Sequence, residues 1–203
     1  MRVKRTLAVF LLVFCAVGLM QAQSLSAADR DSALKYLEST RQGVLDATSG
    51  LSAAQWSFKP APDRWSVAEV TEHIAAAEDM LRGMIVEQVM KAPARTEMED
   101  VKAIDQLVLT AIPDRTQKHQ APEPLKPTNR FGSPESSLKH FQESRQATED
   151  FLNSHDDLRA HATDSPMGKK LDAYEWVLFI AAHSARHTKQ ILEVKADPNF
   201  PKM

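Results

Sequence analysis

Two histidines in the last long apolar stretch of the chain, His183 and His187, are of a type and spacing suited to metal chemistry. Read at helical period, both fall on one stripe, where a packed bundle is expected to have Leu or Ile, together with Trp176, Phe179, Ile180, Gln190, Ile191 and Val194. Imidazoles four residues apart project side by side from one helix face, where a single metal ion can take a nitrogen from each. The pair therefore predicts a metal site and requires a further ligand.

His73 is the candidate for that ligand, because it borders the apolar stripe of an earlier predicted helix. At about 1.5 Å of rise per residue, it lies about 10 Å inside the start of that helix, while His183 and His187 lie about 12 to 18 Å from the end of theirs. If the two helices run antiparallel, the three rings share one level. We therefore predict that His73, His183 and His187 bind one divalent metal ion.

Three neutral imidazoles with an open fourth position describe a catalytic type of zinc site, or a nickel site, since nitrogen ligands suit both ions. Such an ion would lower the pKa of a bound water to about 7, or bind the thiolate of a substrate. Two other metal motifs are excluded. A ferritin-like di-iron site needs Glu three residues before His, where this chain has Val70, Ile180 and Ser184. A zincin needs Glu directly after the first histidine of the pair, and here that residue is Ser184.

Four amphipathic helices are predicted to position these histidines. They begin at caps in Ser26 or Asp29, Ser66, Ser133 and Asp172. They end near Ala47, near Met90, at about Leu152 and before Pro198. The second start, Ser66-Val67-Ala68-Glu69, has the form of a capping box. The connectors at 51–63 and 153–170 are predicted to be irregular.

A long, proline-rich connection between the second and third helices sets the predicted topology. A short helix at about 98–112 is followed by an extended crossing at 113–129. A long crossing lets the third helix run parallel to the second, so that the fourth is antiparallel to both. The sequence therefore predicts an all-α fold, a four-helix bundle with a long crossover between helices two and three.

Residues 1–22 are predicted to be a signal peptide, with a basic start at Met1–Arg5 and an apolar run at 6–20. The run is short for a membrane span, which needs about 20 apolar residues. Cleavage after Ala22 would remove three positive charges and no acids, so the formal charge would change from −2 to −5. We expect an exported bacterial protein, periplasmic or secreted, with residues 23–203 forming a single domain and no stable membrane insertion after cleavage.

The cysteine content and the charge of the sequence exclude several functional classes. The single cysteine, Cys15, lies in the predicted signal segment, so the mature chain has no disulfide and no thiol nucleophile. No basic patch indicates nucleic acid binding. The expected partner is a small-molecule substrate, and the sequence leaves homodimer formation open.

Two motifs resemble the DinB/YfiT-like superfamily. The first is Trp56-Ser57-Phe58-Lys59-Pro60 followed by Asp63 to Val70 and His73; the second is Tyr174-Glu175-Trp176 leading into His183 to Ile191. The likeness spans roughly Ala27 to Val194. It implies a four-helix bundle with a long crossing, and a divalent ion such as zinc or nickel held by His73, His183 and His187. Characterised branches of this superfamily include transferases and isomerases that use the cytosolic thiols bacillithiol or mycothiol, whereas this chain is expected to be exported.

The sequence favours a metal-dependent hydrolase or transferase that activates water or a substrate thiol. The alternative is a non-catalytic bundle that binds a metal or a small molecule. No catalytic acid or base is assigned, because Glu69 is explained by the capping box and Glu72 by solvent exposure. Arg186 fits either an outward salt bridge or a substrate anchor, and Gln190 either a ligand contact or a loop contact. Trp65, Tyr174 and Trp176 are interpreted as core or cap packing.

Overall fold

The computed structural model describes residues 24–95 and 100–202, and four long helices dominate it. The helices are α1 (Ala27–Thr48), α2 (Ala53–Ser57), α3 (Val67–Glu87), α4 (Val101–Ala111), α5 (Pro134–Ser154) and α6 (Ala173–Lys195), and the strands are β1 (Ala162–Asp164) and β2 (Lys170–Asp172). The all-α prediction is confirmed. The predicted signal segment, residues 1–22, lies outside the described residues. Within the described ranges, no helix has the length and apolar character needed to cross a bilayer.

Reciprocal caps fix the starts of the two helices that carry the histidines. At α3, the Glu69 amide donates to Ser66 Oγ (3.2 Å) and the Ser66 amide donates to the Glu69 carboxylate (2.7 Å), which confirms the predicted capping box. At α6, Asp172 and Glu175 exchange the same pair of bonds at 2.8 and 2.7 Å. Because free amides at a helix start need acceptors, these caps define where each helix begins.

The core shows how the long helices are oriented. One apolar cluster joins the starts of α3 and α5 to the end of α6, through Val70, Phe141 and Ile191. A second cluster joins the ends of α3 and α5 to the start of α6, through Ile85, Leu152 and Leu178. Helices α3 and α5 are therefore parallel and α6 is antiparallel to both, as the long crossing predicts.

Helix α1 completes the bundle. The Tyr174 hydroxyl donates to the carbonyl of Asp29 (3.0 Å), and Lys195 Nζ donates to the carbonyl of Ala47 (2.7 Å). The start of α1 thus lies beside the start of α6, and the two ends also coincide. Helices α1 and α6 run in the same direction.

Two connectors differ from the prediction. The connector at 51–63 contains α2, whose start is closed by a capping box between Ser52 and Gln55. The connector at 153–170 contains β1, which pairs antiparallel with β2 around a turn with Gly168 at a φ of 69°. Strands of three residues are too short for an alternating pattern to be recognised in sequence.

Smaller boundary changes concern the second helix and the short one. Helix α3 ends at Glu87 and continues as a 3₁₀ turn at Val89–Lys91, close to the predicted end at Met90. The predicted short helix is present as α4, capped by Asp100. A second 3₁₀ turn, Glu123–Leu125, lies in the crossing and brings Leu125 to the histidines.

Candidate metal centre

The three predicted ligands meet between α3 and α6. His73 Nε2 lies 3.2 Å from His187 Nε2, which lies 3.1 Å from His183 Nε2. One ligand nitrogen of each ring lies within 4.8 Å of the other two. A tetrahedral ion with metal–nitrogen bonds of about 2.0 to 2.1 Å places its nitrogens about 3.3 Å apart. The structure thus brings all three residues together at the spacing of a single-ion site.

Hydrogen bonds on the far side of two rings fix their tautomers. His73 Nδ1 donates to the carbonyl oxygen of Leu125 (2.9 Å), which can only accept. His187 Nδ1 donates to Gln190 Oε1 (2.8 Å), and Arg115 donates to the same oxygen (3.3 Å), which fixes the orientation of the amide. The proton of each neutral ring therefore lies on Nδ1, and both Nε2 atoms carry lone pairs.

The surroundings keep the three rings neutral. Burial, followed by the electrostatic effects of His73 and Arg186, lowers the pKa of His183 to about 3. Burial also lowers the pKa of His73, against the raising effect of the Leu125 hydrogen bond, and it lowers the pKa of His187 well below its ordinary value. The Nε2 lone pairs of His73 and His187 consequently face each other without a proton between them. A cation bound by both would remove this repulsion, so the residues present fit a divalent ion.

The histidines lie in the wall of a large cleft of about 1210 Å³. Trp65 and Trp176 also line it, and the Trp65 ring centre lies 4.9 Å from that of His73. Both tryptophans therefore form part of the cleft wall in addition to packing, whereas the packing assigned to Tyr174 is observed in the core. The three histidines therefore open onto this cleft.

Arg186 has a role that the sequence did not indicate. Its side chain is 9% exposed, and it donates to the backbone carbonyls of Ile112, Asp114 and Gln117. Lys189 adds a bond to the carbonyl of Pro113 (3.0 Å). Helix α6 thereby fastens the crossing segment beside the histidines that the same helix carries. Backbone oxygens are acceptors at every position, so no residue type announces this contact.

Glu72 is buried, and its predicted solvent exposure is wrong. It is 5% exposed and accepts from the amides of Thr128 (2.7 Å) and Asn129 (2.8 Å) and from Arg130 Nε (3.2 Å). Burial raises the pKa of Glu72, but these hydrogen bonds outweigh burial and lower it. The ionised carboxylate holds the end of the crossing, where Asn129 has a positive φ of 62°.

A buried ion pair next to the site was also missed. Arg145, which is 0% exposed, donates through Nε and Nη2 to the Glu78 carboxylate (2.7 and 2.8 Å) and through Nη2 to Ser184 Oγ (2.9 Å). Ser184 directly follows His183 in the chain. The sequence contains one sign of this buried pair, because Arg145 lies on the same helical stripe as Phe141 and Leu152, where an apolar residue is expected.

Comparison with known proteins gives the same fold and a family. One similar solved structure is YfiT from Bacillus subtilis, described as a probable metal-dependent hydrolase with an unusual four-helix bundle topology. It matches with a TM-score of 0.52 and 17% sequence identity, and the match covers 85% of this chain and 89% of that chain. The uncharacterized protein YuaE of Bacillus subtilis (strain 168) is 28% identical over 147 residues, which cover 72% of this chain and 86% of YuaE. The family model of the DinB superfamily matches residues 36–191. Because that match covers well over half of the sequence, the chain belongs to the DinB superfamily.

Proposed function

We propose that His73, His183 and His187 hold one divalent metal ion, zinc or nickel, and that the protein is a metal-dependent hydrolase or transferase. The observation that carries this proposal is the convergence of three neutral imidazoles whose Nε2 atoms lie 3.1 and 3.2 Å apart in the wall of a cleft. The description of YfiT as a probable metal-dependent hydrolase supports the assignment.

The chain's own groups prepare the site for that chemistry. When bound, the ion would polarise a substrate carbonyl, or lower the pKa of a water or of a substrate thiol. The Leu125 carbonyl and Gln190 hold the Nδ1 protons, so that the Nε2 lone pairs of His73 and His187 are available as ligands. Arg186 holds the crossing segment against α6 and so maintains one side of the cleft.

A catalytic site is favoured over a binding bundle by the ligand set. A structural metal site is normally closed by a fourth protein ligand, whereas a catalytic site keeps a position open for water or substrate. Among the residues that the structure describes, the group of potential ligands contains the three histidines and no carboxylate or thiolate. The adjoining cleft gives a substrate access to the open position.

Elemental analysis of the purified protein tests the proposal. We expect one ion per chain in the wild type and a loss of that ion in the His183→Ala/His187→Ala double variant. His119→Ala is the matched control, because it removes an exposed imidazole from the same cleft without touching the three ligands. Equal metal contents in all three proteins would contradict the site.

Activity is measured separately on the metal-loaded protein. We expect turnover in a panel of esters, amides and thiol-transfer substrates, and we expect the double histidine variant to lack it. Metal-loaded protein that is inert towards the whole panel would contradict the enzymatic assignment and favour the binding bundle.

A further inference from the structure

We infer that the cleft binds an amphipathic anion, in which an acidic head group is joined to an apolar chain, and that the join lies beside the three histidines. A reaction at the join between head group and chain rests on the proposed function. Binding of the anion in the cleft does not. In a hydrolysis the bond at the join breaks, and water supplies a hydroxyl to one fragment and a proton to the other.

One half of the cleft is apolar. From His73, the face of α3 continues towards its C-terminus with Ala77, Met80, Leu81 and Met84. Helix α6 runs the opposite way and places Phe179 and Trp176, which precede His183 by one and two turns, along the same half. Leu107, Pro166 and Met167 are further apolar residues of the cleft lining. At about 1.5 Å per residue, the eleven residues from His73 to Met84 give this half a length of about 16 Å. No charged side chain of the described lining belongs to it.

The other half is predominantly cationic. Among the residues that the structure describes, six cationic side chains and two carboxylates line the cleft. All eight belong to the connector before α3, the start of α3, the crossing or the C-terminal half of α6. They are Lys59, Arg64, Arg115, Lys118, Lys126, Arg186, Asp63 and Glu69. An acidic head group is therefore attracted to this end.

Two of the cations are available to a ligand. Lys118 is exposed and forms no ion pair with any residue that the structure describes, and Arg64 reaches Glu193 only at 4.0 Å. By contrast, Lys59 is paired with Glu69 at 2.9 Å and Arg115 with Glu193 at 2.7 Å. Arg64 and Lys118 are therefore the head-group contacts that we assign.

The histidine site at the boundary also favours an anion. Arg186 lines the cleft about one turn beyond His183 on α6. Neutral imidazoles leave the charge of a bound divalent ion uncompensated. The cleft, at about 1210 Å³, exceeds the size of about 300 to 1,000 Å³ that is usual for small-ligand sites. It has room for both parts of such a molecule.

Calorimetric titration of the metal-free protein tests the inference independently of catalysis. The probes are dodecanoate, butanoate and dodecyltrimethylammonium, each kept below the concentration at which micelles form. We expect one dodecanoate per chain, bound at least tenfold more tightly than either other probe, because only dodecanoate has both the anionic head and the long apolar chain. Equal binding of butanoate or of the cationic probe would overturn the inference.

Variants locate the two ends of the probe. Arg64→Gln/Lys118→Gln is expected to weaken dodecanoate binding at least fivefold, and Met80→Glu, at a half-exposed position of the apolar half, at least tenfold. Lys139→Gln, an exposed lysine of α5 outside the cleft lining, should change nothing. Unchanged binding in either cleft variant would overturn the assignment. Because metal content is measured separately on the protein as purified, probe binding by a protein that takes up no metal would contradict only the proposed function.

Discussion

Removal of one partner of the buried ion pair between Arg145 and Glu78 should strongly destabilise the bundle. The two residues are 0% and 2% exposed, and their side chains share two hydrogen bonds. Arg145→Met leaves the Glu78 carboxylate in the core with a hydrogen bond from Thr148 (3.0 Å). Breaking a buried pair in this way costs about 3 to 5 kcal/mol, because an uncompensated charge remains. We expect the same range for Glu78→Leu, which leaves the guanidinium with neutral acceptors.

Removing both partners should cost much less than the sum of the two losses. Both charges then disappear, and the hydroxyl groups around them keep backbone acceptors in their own helices: Thr40 with Leu37 (3.0 Å), Thr148 with Ser144 (3.2 Å) and Ser184 with Ile180 (3.3 Å). Replacing a buried pair by apolar residues is often close to neutral. We expect the double variant within about 2 kcal/mol of wild type, against about 6 to 10 kcal/mol for the added single losses.

Urea unfolding followed by circular dichroism measures the free energies for this cycle. Lys139→Met is the control, since it removes an exposed lysine of the same helix whose partner Glu143 lies 3.8 Å away, and it should change stability by no more than about 0.5 kcal/mol. If a single variant is unfolded in water, its loss of stability is at least the whole free energy of unfolding of the wild type. A double variant that loses the full sum would refute the argument, because the two side chains would then contribute independently.

Two further predictions concern the helix that carries the histidine pair. Gln190→Leu removes the acceptor of His187 Nδ1, so metal affinity measured by chelator competition should fall about 10- to 100-fold, and unchanged affinity would contradict the orienting role. Burial, followed by the charge of Asp172, raises the pKa of Glu175 from 4.5 to about 8. Between these two pH values the folded state binds more protons than the unfolded state, so the contribution of Glu175 to stability falls as the pH rises. The urea midpoint of Glu175→Gln should therefore fall less between pH 5 and 8 than that of the wild type. Identical pH profiles of the two midpoints would contradict this prediction.

The helices and the meeting of the histidines could be predicted because each depends on local pattern. Capping boxes such as Ser66 with Glu69 are encoded within four residues, and the apolar stripe identifies the buried face. The long crossing then determined the relative directions of the helices, which decided whether His73 could reach His183 and His187. Their Nε2 atoms do converge in the structure.

The parts that escaped prediction depend on contacts between distant segments. Arg186 binds carbonyls more than 65 residues earlier in the chain, and the acceptors are backbone atoms that have no sequence signature. Glu72 resembles an exposed helix residue, yet its partners are amides of the crossing at 128–130. The pair of Arg145 with Glu78 spans 67 residues, and an arginine in an apolar stripe does not reveal its partner.

We hypothesise that this ion pair also sets the register of the metal site. Apolar packing tolerates small shifts between helices, whereas a slip of one turn, about 5.4 Å, would leave Arg145 and Glu78 buried without each other. Glu78 lies five residues after His73 on α3, and Ser184, which accepts from Arg145, adjoins His183 on α6. The same contacts that align α3, α5 and α6 therefore hold the imidazoles at one level. The Glu78→Leu/Arg145→Met variant separates this role from stability: it should remain folded yet bind the metal at least about tenfold more weakly, by analogy with the loss of groups that orient ligands. Full affinity in a folded double variant would show that apolar packing alone sets the register.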